Sequence, residues 1–433
     1  MIAAKLWWRL ARRQESQRLI TALAVIAFAA TTAAVLTVLG GLGAFQARPE
    51  SELYVTLALV ATAILIIPVI TLGGAAARLS ISRRNERFAA LRLAGATSGQ
   101  VGAIAVIDAA VQAVAGAVAG VVLYLIALPG VAQLRFQGRS FQLAELWVGP
   151  GVLALTLLAI VVLAVASAAF SLAAVVISPL GVARRVSPKK LSLIRAVFFV
   201  LAFTAWLVIT RVVNGDLAVP VMITFLIICF AVVNLVGPFV LGLIGRIAAN
   251  RAKNVPALLA ARRLVDDPKS AWRSVAGVTL ATFVAGLLSI APGMAAGADA
   301  AEEPSLAYLS QDLLTGALVT VIIAALLAAV SSGVNQAAKV LDHRDQYRML
   351  RLAGTPIEVL SAARLRETWL PLGASLAIAV CCSLVIVAPF GIMLIGASPA
   401  GPLLFGGGLV LSVTLVMAAV LASQPLLHKA AAI

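Results

Sequence analysis

Two carboxylates stand where the surrounding chain is apolar. Asp108 and Glu367 each fall two to three turns into a helix that forms a hydrophobic span, within or beside the span itself. An acid at that depth is costly, so each should face protein and be paired. Two chemistries fit: a structural acid that pins one helix end to another, or a group that carries a proton or touches a substrate. Arg364, three residues before Glu367, can pair with it along one helix face. Gln112, one turn after Asp108, can share a hydrogen bond with it. Matching positions in two halves of the chain favour the mechanical role, because a transport path rarely needs the same acid twice. Other reactive residues point to little. Cys229, Cys381 and Cys382 lie inside apolar runs without metal-ligand spacing. His343 and His428 are isolated, which argues against a histidine-based metal or catalytic site. No G-x-x-x-x-G-K-[ST] phosphate loop occurs, so ATP hydrolysis is not expected in this chain.

The elements that would hold these acids emerge from composition. In 433 residues, 62% are hydrophobic and 12% charged, against about 25% charge in soluble domains. Such a chain cannot cover its own surface in water. The expectation is an all-α polytopic membrane protein. Ten stretches reach the roughly 20 apolar residues that a span needs: 19–44, 54–77, 101–128, 150–176, 196–213, 219–244, 275–296, 314–338, 368–395 and 403–427. Spans 54–77 and 314–338 should continue as helix beyond the bilayer. The first run is longer than the roughly 7–15 residues of a signal-peptide core, so it should remain as an anchor. Gly116 and Gly120 in the third span form a Gly-x-x-x-Gly pair that permits close helix contact.

The net charge of +16 resolves by side. Of 33 Lys and Arg, 29 fall before span 1, in the loops 2–3, 4–5, 6–7 and 8–9, and in the tail; four, Arg48, Arg135, Arg139 and Arg211, fall on the other side. The positive-inside rule then places both termini in the cytoplasm of a multi-pass plasma-membrane protein. The basic excess is a topology signal rather than a nucleic-acid footprint. Some of these cations are expected to meet anionic lipid headgroups.

The chain also repeats itself. Residues 84–95 read RNERFAALRLAG and residues 343–354 read HRDQYRMLRLAG, at a constant offset of 259. Asp108 and Glu367 stand at the same offset. Upstream, Leu10-Ala11-Arg12-Arg13 matches Ala260-Ala261-Arg262-Arg263, each inside a basic amphipathic stretch (3–18 and 255–273). Residues 1–176 and 255–433 therefore read as two parallel four-helix units. Residues 177–254 link them with two spans, an even number that keeps the copies parallel.

Each repeated segment reads as a short amphipathic helix. Phe88 and Leu91 lie three apart, as do Tyr347 and Leu350, with Arg residues flanking both pairs. Gly95 and Gly354 are natural left-handed terminators. Thr97 to Gln100 predicts a capping box, and Thr355 to Glu358 predicts another with Pro356 at the first helical position. Such a segment is either a loop resting on the lipid surface or a knob for a two-fold symmetric cytoplasmic partner.

The R-x-E-x-[FY]-x-x-L-R-x-x-G pattern between the second and third helices of a four-helix unit resembles the FtsX/MacB-type ABC transporter permeases. The resemblance covers both four-helix units. It implies that residues around 83–95 and 342–354 are coupling helices seated on a dimer of cytoplasmic ABC ATPase subunits. Arg84, Glu86, Arg87, Phe88, Leu91 and Arg92 in the first copy, and Asp345, Tyr347, Arg348, Leu350 and Arg351 in the second, would carry the contact. ATP and Mg would bind the partner ATPase, and none in this chain. His343 and Asp345 depart from Arg84 and Glu86, which leaves open whether both copies bind equally. Family members with ten spans, the BceB-type permeases, carry an extracellular domain between spans 7 and 8, and others carry one between the first two helices. Here those loops, 45–53 and 297–313, are too short. The largest outer loop, 129–149, is expected to be an amphipathic interfacial segment carrying Phe136, Phe141 and Trp147.

The resemblance implies a permease subunit that couples ATP hydrolysis to export or extraction of an amphipathic or lipid-like substrate or an antimicrobial peptide. The alternative is a mechanotransmitting subunit that regulates an extracellular enzyme or sensor, through an extracellular or membrane partner, without transport. An ion-coupled transporter built on a parallel repeat ranks below both, because the spans offer only the two acids.

Overall fold

The computed structural model describes residues 15–48, 52–82, 95, 97–176, 197, 201, 203–208, 218–296, 308–342, 344–388 and 398–422. The chain is an all-α polytopic membrane protein. Nine helical segments among the described residues are long and apolar enough to cross a membrane: Thr21–Gln46, Glu52–Gly74, Gly99–Ala132, Leu143–Ala169, Ile227–Asn250, Pro268–Gly293, Leu309–Lys339, Glu358–Val387 and Ala400–Leu421. Each overlaps an expected span. The tenth, 196–213, lies mostly outside the described residues. Two helices, Glu52–Ser82 and Leu309–Asp342, continue beyond the expected spans 54–77 and 314–338.

The chain divides into two compact units. The first comprises Met1–Val55, Val69–Leu134 and Ser140–Val186; the second comprises Thr56–Pro68, Arg135–Arg139 and Ser187–Ile433. Helices α1 (Glu15–Gln46), α3 (Ser98–Ala132), α4 (Leu143–Leu146) and α5 (Gly149–Val176) belong to the first, and α2 (Glu52–Ser82) contributes to both. Helix α1 packs on α3 where small residues permit it. A Cβ on Gly116 would fall 2.4 Å from the Cβ of Phe28, and one on Gly120 would fall 2.6 Å from the carbonyl of Ala29. The Gly-x-x-x-Gly pair is thus a close helix contact, as its spacing predicts.

The loop after α3 corrects one expectation. It is no amphipathic surface segment but a two-stranded hairpin, β1 (Arg135–Phe136) and β2 (Arg139–Ser140), and then the single turn α4. The aromatic rings turn inward: Phe136 and Phe141 are buried, and only Trp147 is exposed. Within the first unit Phe141 packs edge-on against Phe45 at 5.4 Å and lies 4.4 Å under the Arg48 guanidinium. Arg48 in turn pairs with Glu145 at 2.9 Å. Tyr124 donates to the Leu146 carbonyl at 2.6 Å and accepts from the Val148 N–H. Arg48, Glu145 and Tyr124 are all engaged here, and those bonds hold the loop against the helix ends. Within the second unit, Gln137 and Gly138 both have positive φ, and the Gln137 N–H donates to Asp312 at 2.8 Å. The Tyr308 ring stands where a Cβ on Gly138 would be.

The second unit holds α6 (Ala218–Asn250), α7 (Val255–Asp266), α8 (Pro268–Leu288), α9 (Ala291–Ala296), α10 (Leu309–Asp342), α11 (Arg344–Leu352), α12 (Ile357–Val387) and α13 (Ala400–Ala422). Helix α8 is the centre, packed by α6, α10, α12 and α13. The amphipathic stretch 255–273 comprises α7 and the start of α8. Asp267, in a non-helical conformation, ends α7 and caps α8 by accepting from the Ser270 N–H at 3.0 Å. The linker packs on this unit through aromatic anchors. Trp272 donates to Asn234 of α6 at 3.1 Å, and Trp206 donates to the Ile386 carbonyl of α12 at 3.1 Å while stacking on Phe225 at 4.3 Å.

Candidate functional site

The second copy of the repeated motif is the helix α11, nine residues long. Its end is a Schellman motif. The Thr355 N–H donates to the Leu350 carbonyl and the Gly354 N–H to that of Arg351, both at 3.0 Å, and Gly354 has φ of +85°. A residue with a Cβ is strained in that conformation. Gly95 repeats the left-handed conformation at φ of +92° in the first copy.

Beyond the two glycines the copies diverge. In the first copy the Thr97 hydroxyl accepts from the Gln100 N–H, and the Gln100 side chain accepts from the Thr97 N–H at 3.0 Å, the reciprocal box that the sequence predicts. In the second copy the expected box is absent. Pro356, not Thr355, is the N-cap of α12, with ψ of 148° and no side-chain hydrogen bond. A proline in the extended region holds the chain out of the helix for one more residue, so Thr355 stands too early to reach the free N–H groups.

The sequence pattern puts the apolar ridge of α11 on Tyr347 and Leu350. Leu350 and Arg351 are half-buried. The exposed apolar pair is Met349 and Leu352, at 70% and 65% exposure. Asp345, Tyr347 and Arg348 lie on α11, and their side chains are outside the described residues, as are Arg84, Glu86, Arg87, Phe88, Leu91 and Arg92 altogether.

Glu367 lies a few turns into α12 and is 7% exposed. Its partners in the structure come from two other helices, whereas Arg364 on its own helix has a side chain outside the described residues. Arg263, in the last turn of α7, reaches one carboxylate oxygen at 3.3 Å, and Lys339, in the last turn of α10, contacts the other. Each oxygen thus has its own cation. Arg366, the preceding residue, donates to Asn254, whose side chain also caps α7 by accepting from the Ala257 N–H. Helix α7 is therefore held along α12 near both of its ends. A buried carboxylate tolerates this position because two cations and their hydrogen bonds replace water.

In the first unit Asp108 is buried, and Gln112 donates to it at 2.7 Å, the bond that the one-turn spacing predicts. The sequence singles out both acids and the Ala-Ala-Arg-Arg stretch, but it does not connect Arg263 or Lys339 to Glu367. Their shared signal is a cation in the last turn of a helix that ends on the basic side. Among the described residues no group of three or more His, Cys, Asp and Glu could hold a metal ion. The arrangement is a three-helix ionic clamp beside a short exposed helix. Lys339 joins the two, standing in the last turn of α10, immediately before α11. No family model and no curated protein matches this chain.

Proposed function

We propose that this chain is the permease subunit of an ATP-driven complex of the FtsX/MacB type, with hydrolysis in a separate cytoplasmic ATPase. The observation that carries the reading is α11. The second copy of a repeated motif forms a discrete, glycine-terminated helix with Met349 and Leu352 uncovered, next to a clamp that ties α10, α12 and α7 together. A displacement applied to such a helix passes directly to the ends of three others. The cargo fitting a chain without a large outer domain is amphipathic or lipid-like, or an antimicrobial peptide, entering from the membrane.

The test is affinity purification of the intact complex. The chain should bring down a cytoplasmic ATPase whose hydrolysis rises with lipid or peptide. Met349→Asp together with Leu352→Asp should abolish the association while leaving the permease inserted. An ATPase retained by that double variant would remove α11 as its seat, and absence of any ATPase from the wild-type preparation would refute the reading.

A further inference from the structure

The turn between α6 and α7 gathers exposed cations. Arg251 and Lys253 lie in the turn itself, and Arg366 reaches its last residue, Asn254, from α12. Arg246, in the last turns of α6, and Arg262, two turns into α7, are also exposed. Among the described residues no carboxylate pairs with any of these five. Glu367, next to Arg366, is taken by Arg263 and Lys339, and Asp266 and Asp267 stand at the far end of α7, where Asp267 is occupied as the cap of α8. Cations concentrated without a counter-charge leave a local positive potential to be answered by something outside the chain.

The apolar surface beside them indicates what answers it. Leu243 and Ile247 share one face of α6 and are 49% and 46% exposed, in a helix that the composition places in lipid. On α7, Val255 and Leu258 share a face and are 63% and 43% exposed, while Ala260, Ala261 and Leu264 are buried. The exposed side of this amphipathic helix thus carries apolar residues next to the cations of the turn, whereas Leu243 and Ile247 lie on the face of α6 opposite Gly245, which packs on α7. A soluble anion would match the charge and leave Val255 and Leu258 in water. A phospholipid matches both.

We propose that the α6–α7 junction is a binding site for an anionic phospholipid. Arg251, Lys253 and Arg366 hold its phosphate, Arg246 and Arg262 flank it, and its acyl chains lie on Val255 and Leu258. The side is the one that the charge bias assigns to the cytoplasm, where anionic lipids attract basic segments. This proposal does not depend on the permease reading.

The experiment uses the full chain in nanodiscs of mixed phosphatidylcholine and phosphatidylglycerol, with native mass spectrometry of the lipids retained on release. In Arg251→Gln/Lys253→Gln/Arg366→Gln, retained phosphatidylglycerol should fall roughly tenfold or more, since each cation near a membrane surface contributes severalfold to affinity. Phosphatidylcholine should not change. Lys269→Gln/Arg273→Gln, which removes two exposed cations from α8, should retain phosphatidylglycerol as the wild type does. Equal retention in the junction variant, or equal loss in the α8 control, overturns the site. Inorganic phosphate is the second arm. If it displaces the lipid and stabilises the wild type but not the variant, the site takes a free anion and the lipid assignment fails. If the triple variant does not fold, Lys253→Gln alone should still lower retention severalfold, and an unchanged value would sink the proposal.

Discussion

At the scale of single residues, Glu367 decides more than its size suggests. Removing one member of a buried ion pair leaves an uncompensated charge and costs about 3–5 kcal/mol. Glu367→Leu would take from Arg263 and Lys339 the carboxylate they share, so thermal unfolding in detergent should show a loss within that range. Adding Arg263→Met and Lys339→Met to Glu367→Leu should recover most of it, because no charge is then left without a partner. Failure of the triple variant to recover would mean that the clamp is not the source of the loss. The amide variants test a different point. Asp108→Asn and Glu367→Gln should keep more activity than Asp108→Leu and Glu367→Leu if the acids hold helices in place. A proton-carrying role predicts that the amides fail as completely as leucine. On α11, Met349 and Leu352 should each contribute about 1.5–3 kcal/mol to ATPase docking if fully covered. Pull-down with Met349→Asp or Leu352→Asp should therefore weaken more than with Leu350→Asp, whose side chain is already half-buried.

At the scale of elements, the left-handed glycine and the helix it ends are separable from the rest. Gly354→Ala forces a Cβ into φ of +85° and should cost about 1 kcal/mol. Its effect should appear as weaker ATPase association rather than as loss of insertion. Gly120→Val acts elsewhere, driving α1 from α3 where a Cβ already meets the Ala29 carbonyl at 2.6 Å. The first unit should lose stability by an amount that thermal unfolding resolves, whereas α11 should still bind. Much of this is legible in the sequence, since spans, the glycine pair, the Thr97–Gln100 box and the Asp108–Gln112 bond all rest on local spacing. Three features are not. The exposure of Met349 and Leu352 depends on what α11 packs against, which spacing alone does not show. The second capping box fails because Pro356 sets its own φ and delays the helix. Phe136 and Phe141 look like surface residues in the sequence because a loop shows no period, although Phe45 and Arg48 await one of them across a hundred residues.

At the scale of the whole molecule, one chain carries both copies of the motif, both of the helices behind them and both acids. Under the permease reading, a two-fold ATPase dimer is then matched by a single permease, and native mass spectrometry of the extracted complex should show one permease to two ATPase subunits. A dominant two-to-two species would refute it. The second unit's clamp has a further consequence, for synthesis rather than for the finished protein. Arg263 and Lys339 are synthesised before Glu367, so α7 and α10 enter the membrane before the carboxylate that joins their ends. Arrival of α12 supplies it, which makes that helix the latch on the order of assembly. Truncated chains ending before residue 357 and released from the ribosome should fall to membrane proteases, and chains extended past α12 should persist.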